Sequence, residues 1–127
     1  MFDFLKPKPA GEVMTAKEAH EALGKGDIIL VDVRTPMEWR KSGVAEGAET
    51  ISLNDPNFLA RLEQLTGGDK SKRVAFICAT GSRTAQLARA LKGYGWDNII
   101  DVTDGMMGNF SSPGWIRSGL PVKPWNG

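Results

Sequence analysis

The stretch Arg73 to Gly93, RVAFICATGSRTAQLARALKG, decides the fold. Val74-Ala75-Phe76-Ile77 is a short apolar run of the kind that fills a strand buried on both faces, and it ends on the only cysteine, Cys78. Beyond Thr80-Gly81-Ser82, the positions Thr84, Leu87, Ala88 and Leu91 recur at i, i+3, i+4 and i+7, one face of a helix that Gly93 closes. The unit is therefore strand, cysteine, tight loop, helix. It aims the loop N–H groups and the positive helix end at the sulfur, a setting that favours thiolate. Arg83, at the predicted helix start, adds a cation for the thiolate or for an anion bound to it. Gly81 supplies the positive φ that a tight anion-holding loop often needs. A lone cysteine at a strand end also reads as an inert core residue; loop composition, Arg83 and the strand-to-helix placement together favour the reactive reading.

The rest of the chain frames this unit. Its 127 residues suit one domain with a real core. Charged residues make up 24% and apolar ones 41%, an ordinary globular balance, and a net charge of +1 gives no mandate for binding nucleic acid or membrane. A single cysteine excludes an internal disulfide, a cysteine-based zinc cluster and a Cys-x-x-Cys redox pair, which points to a free thiol in a reducing, cytoplasmic setting. The start, MFDFLKPKP, lacks the apolar core of a signal peptide, and no run approaches transmembrane length. No metal or cofactor is called for.

Residues 1–12 read as an extended lead-in and 13–127 as the domain. Val13-Met14 is a short first strand, and Thr15 with Glu18 has capping-box spacing for a helix to about Gly24. His20 borders the stripe Ala16, Ala19, Leu23 and reads as a packing residue. Ile28 to Val33 is a buried strand, Pro36 opens a short helix through Trp39 and Arg40, and Ile51-Ser52-Leu53 is an edge strand. Asn54-Asp55-Pro56 opens a helix carrying Phe58, Leu59, Leu62 and Leu65, stopped by Gly67-Gly68. After the central unit, Ile99 to Val102 is a further strand. Strands separated by helical patterns imply an α/β fold, a parallel sheet with helices on both faces. Ligands of such sheets gather outside the carboxyl ends of the strands. Three polar ends meet there: Asp32-Val33-Arg34, the Cys78 loop, and Thr103-Asp104-Gly105. Asp32 and Arg34 read first as a structural pair supporting the site.

These residues resemble a single-domain rhodanese, a sulfurtransferase family of parallel α/β fold. Leu30 to Trp39, LVDVRTPMEW, is similar to the family's opening signature, Cys78-Ala79-Thr80-Gly81-Ser82-Arg83 to its active loop, and Trp115 to Pro121, WIRSGLP, to its closing Trp-x-x-x-Gly-Leu-Pro. The resemblance implies that Cys78 takes a sulfane sulfur from a small donor or a protein persulfide and hands it to a thiophilic acceptor. Ala79, Thr80, Gly81, Ser82, Arg83 and Thr84 would hold the sulfur. With no second cysteine, the acceptor must be external: cyanide, a small thiol or a partner protein's cysteine.

The sequence also departs from the family pattern. Gly43 to Ala48, GVAEGA, stands where Gly-His-Ile-x-Gly-Ala is usual, and Ala79 and Thr80 follow the cysteine where thiosulfate-specialised members often place a cation. The stretch Gly108 to Gly114, GNFSSPG, is longer than the pattern and is expected to reshape the pocket mouth together with Met106 and Met107. Two other functions stay open. A cysteine phosphatase or arsenate reductase shares this kind of fold, but a phosphatase loop places five residues between cysteine and arginine, and only four intervene here. A non-catalytic binding module is the other, although inactive members commonly lose the cysteine.

Overall fold

A computed structural model describes residues 11–127. The expected lead-in falls outside the described residues up to position 10. From there the chain runs β1 (Glu12–Met14), α1 (Ala16–Gly24), β2 (Ile29–Asp32), α2 (Pro36–Ser42), β3 (Val44–Ala45), β4 (Glu49–Thr50), α3 (Phe58–Thr66), β5 (Val74–Ile77), α4 (Ser82–Gly93), β6 (Ile99–Val102), α5 (Gly114–Arg117) and β7 (Val122–Lys123). Strands β1, β6, β5, β2 and β4 lie in that order in one parallel sheet.

The central strand β5 is flanked on both sides, Leu30 against Ala75 and Ala75 against Ile100, so all four of its residues are buried. Its alternation feeds two cores. Val74 and Phe76 pack with Phe58, Leu62, Leu87, Ala88 and Leu91 of α3 and α4. Ala75 and Ile77 pack with Ala16 and Ala19 of α1 and Trp115 of α5. Helices thus cover both faces, as the sequence pattern predicts. His20 stacks edge-on against Trp115 at 5.5 Å, which is the packing role its position suggests.

Local signals act as read for α1: the Thr15 side chain accepts from the Glu18 N–H and the Glu18 carboxylate accepts from the Thr15 N–H. Two elements differ from the expectation. The edge strand is Glu49–Thr50 rather than Ile51–Leu53, although Ile51 and Leu53 still donate to Asp32 and Val33 carbonyls at 3.1 Å and carry the pairing past the strand end. Helix α3 begins at Phe58, because Asp55 spends its carboxylate on the Asn57 N–H and on Arg61. The pair β3 and β7, antiparallel and two residues long each, straps the closing segment onto the turn after α2.

Candidate active site

The carboxyl end of β5 delivers Cys78 into the start of α4. Gly81 turns the chain with φ 100°, and a Cβ there would collide with the Thr103 carbonyl oxygen, so only glycine fits. That turn points the Gly81 N–H at Sγ, 3.2 Å away. Helix α4 follows the N-cap Gly81, which supplies no side-chain cap, so the N–H groups of its first turn are not consumed by a capping side chain. The thiol itself is 1% exposed. Burial alone would suit an inert core cysteine. An N–H and the Thr84 hydroxyl, 3.5 Å from Sγ, instead give the sulfur a polar side that an anion can use. Of the predicted loop, Gly81 and Thr84 touch the sulfur, while Ala79 is half-buried and Thr80 and Ser82 are exposed.

The cation is placed differently from expectation. Both terminal nitrogens of Arg83 bind the carboxylate of Glu38, at 2.9 and 3.0 Å. The Arg83 guanidinium, with further help from the Thr35 N–H and hydroxyl, holds the Glu38 carboxyl down at about 2 against the opposing effect of burial. Glu38 in turn raises Arg83, with smaller contributions from the charges of Cys78 and Asp32. Arg83 is therefore charged but already partnered, not the uncommitted cation the sequence suggests.

Asp32 and Arg34 do pair, and deeply. The Arg34 Nε donates to both Asp32 oxygens at 3.1 Å and Nη2 to Oδ2 at 2.9 Å. Its remaining donors reach the Ser42 hydroxyl and the Gly43 carbonyl, while Trp39 Nε1 closes on Asp32 at 3.0 Å. This network ties α2 to the end of β2, which fixes where α2 presents Glu38.

The third strand end closes over the loop. Met106 and Met107 donate from their backbones to the Cys78 and Ala79 carbonyls, each at 2.8 Å, and the Asn109 amide reaches the Thr80 and Thr103 carbonyls at 2.9 Å. The 108–114 stretch is thus stitched to the cysteine loop. Met106 corrects the sequence reading: its side chain is fully buried in the α1 and α5 core and forms no pocket rim. Met107 is half-exposed and Phe110 wholly so.

Sequence reasoning missed Glu38, Asn109 and Asp101. Thr35 and Glu38 have the same capping-box spacing as Thr15 and Glu18 and form that box, so the signal was present. Asp101 stands out as a carboxylate inside a buried apolar run; it accepts from the Thr84 hydroxyl at 2.6 Å. Among the described residues no cluster of three or more His, Cys, Asp or Glu side chains could hold a metal ion, and no helix is long and apolar enough to cross a membrane.

The family model of the rhodanese-like domain matches residues 15–110. Among relatives, a sulfurtransferase of Allochromatium vinosum is 28% identical over 96 residues, 76% of this chain and 78% of its own. An uncharacterized protein of Rickettsia prowazekii is 25% identical over 119 residues, 86% of this chain and 94% of its own. Among solved structures, the polysulfide-sulfur transferase homodimer of Wolinella succinogenes superposes with a TM-score of 0.70 at 26% identity, covering 91% of this chain and 80% of that one. A Staphylococcus aureus rhodanese-like domain protein superposes at 0.64 with 26% identity, covering 88% and 98%.

Proposed function

Because the chain belongs to the rhodanese-like domain family, we propose that it is a sulfurtransferase in which Cys78 carries a sulfane sulfur as a persulfide. The observation that carries this reading is the sulfur's polar side, the Gly81 N–H at 3.2 Å beside the uncapped first turn of α4. Cys78 thiolate attacks the outer sulfur of a donor, a new S–S bond forms, and the donor's own sulfur–sulfur bond breaks with its electron pair leaving as thiolate or sulfite. An external nucleophile then attacks the outer sulfur of the Cys78 persulfide and Cys78 leaves as thiolate. Both steps pass through sulfur anions, which the loop amides and the helix end stabilise. The likeness to a sulfurtransferase and to a polysulfide-sulfur transferase supports this chemistry.

Donor choice follows from charge. Thiosulfate is a dianion, and the one arginine at the loop already serves Glu38, so a thiol persulfide, small or protein-borne, is the better donor. The short loop, with four residues between Cys78 and Arg83, and the competition of Glu38 for that guanidinium weigh against the phosphatase reading. Intact mass after incubation with thiosulfate and with an organic persulfide tests the proposal: wild type gains one sulfur, and Cys78→Ser gains none and loses transfer to cyanide while melting like wild type. A wild type that gains no sulfur from any donor is a binding module, and the proposal fails.

A further inference from the structure

Asp101 has no part in the sulfur-transfer steps above, yet it sits one hydroxyl away from the nucleophile. It lies on β6 with 8% of its surface exposed, among Ile99, Ile100 and Val102, and its side-chain hydrogen bond among the described residues is with Thr84. A buried carboxylate without an ion pair is costly to keep charged. Thr84 meanwhile has a single hydroxyl hydrogen and three neighbours that can accept it: Asp101 Oδ1 at 2.6 Å, the Gly81 carbonyl at 3.1 Å and Cys78 Sγ at 3.5 Å. It can serve one of them at a time.

The protonation state of Asp101 decides which. When Asp101 is a carboxylate it takes the Thr84 hydrogen, and the Thr84 lone pairs then face the sulfur and favour S–H. When Asp101 is a carboxylic acid it donates to Thr84 Oγ1, and the hydroxyl turns its hydrogen to the sulfur anion. We propose that Asp101, acting through the Thr84 hydroxyl, takes up the proton that Cys78 releases and is thereby a positioning residue for the sulfur nucleophile. The S–H bond breaks, an O–H bond forms at Thr84 as the original one passes to Asp101, and the cluster's net charge is unchanged. No oxidant or further reactant enters. Burial pushes the Asp101 carboxyl up, opposed by the Thr84 hydrogen bond and the charge of Arg89 on α4. Charges on the sulfur side include Arg83, its partner Glu38, and Asp32, which acts on Arg83 and is itself paired with Arg34; on the β1 side the Glu12 carboxylate is bound to Arg73. The use of this device rests on the sulfurtransferase reading, but its existence does not.

Alkylation of Cys78 by neutral iodoacetamide, followed against pH, tests it without any sulfur donor. Asp101→Asn is isosteric and its amide N–H mimics the acid form. It should turn a broad, two-step profile into a single step and raise the thiolate fraction near neutral pH about tenfold. Thr84→Val should raise the midpoint, Thr84→Ser should restore it, and the Asp101→Asn effect should shrink several-fold in the Thr84→Val background. An unchanged midpoint in Asp101→Asn overturns the proposal. So does an equal shift with and without the hydroxyl, which would be charge acting across space. If Asp101→Asn does not fold, the Val and Ser variants at Thr84 decide alone: equal midpoints for both sink the relay. A wild type that carries the relay but gains no sulfur would fail the proposed function and not this inference.

Discussion

Arg34 and Arg83 follow neighbouring strands of the sheet, and each is gripped by a carboxylate, but the two pairs do different things. Arg34 is 2% exposed at its side chain, Asp32 is 0%, and every arm of that guanidinium has an acceptor inside the protein. Arg83 and Glu38 are 37% and 32% exposed, and their bond is a two-point contact at the rim of the cysteine loop. The first pair is a fixture, because removing either partner strands a buried charge. The second is exchangeable: water screens it, its net value is small, and an incoming anion can compete with Glu38 for the same guanidinium. Proximity to the loop does not make an arginine a substrate ligand; the burial of its partner decides.

The sharpest way to break this contrast is Arg34→Met. It leaves Asp32 buried with only the Trp39 indole N–H and the backbone N–H of position 34 as donors among the described residues, and should cost about 3–5 kcal/mol in a urea melt while transfer per folded molecule is kept. A loss below about 1 kcal/mol would put the two pairs in one class. Arg83→Ala should be the mirror image. Its stability cost should stay within about 1 kcal/mol, while the KM for thiosulfate rises several-fold more than that for an uncharged donor. Equal effects on both donors would mean that Arg83 holds α2 in place and never meets the substrate anion.

How much of this was legible in advance divides along the same line. The apolar runs at Ile29–Asp32, Val74–Ile77 and Ile99–Val102 and the helical stripe on Ser82–Gly93 are local patterns, so the parallel sheet and the strand-cysteine-loop-helix unit could be read directly. Asp32 and Arg34 are two residues apart, and their pairing is legible for the same reason. Glu38 and Arg83 are 45 residues apart, and only the fold brings them together. The Asp101–Thr84 contact likewise joins a strand to a helix that precedes it. The inward turn of Met106 is not legible, because glycines flank the Met106-Met107 pair and no periodicity tells which of two adjacent methionines turns inward. The strands β3 and β7, two residues each, are too short to show an alternation.

The smallest effect should come from Glu38→Gln, and it isolates the masking of Arg83. Glutamine at this third helical position can still close the capping box with Thr35, so α2 should keep its place and stability should fall by no more than about 1 kcal/mol. Acid cannot substitute for the mutation. The Glu38 carboxyl is depressed from 4.5 to about 2 in the folded chain, so its contribution is fully present above 4.5 and is lost only as pH falls toward 2. Across the pH range of a transfer assay Glu38 therefore stays charged and keeps competing for Arg83, and the thiosulfate KM should show no inflection from Glu38. In Glu38→Gln the guanidinium is released from its counter-charge at every pH. The KM for thiosulfate should drop several-fold with kcat unchanged, and an organic persulfide should react as in wild type. An unaltered thiosulfate KM would show that Arg83 does not reach the donor even when unmasked. The missing cation would then be the one that Ala79 fails to supply, and Ala79→Arg would be the variant that lowers the constant.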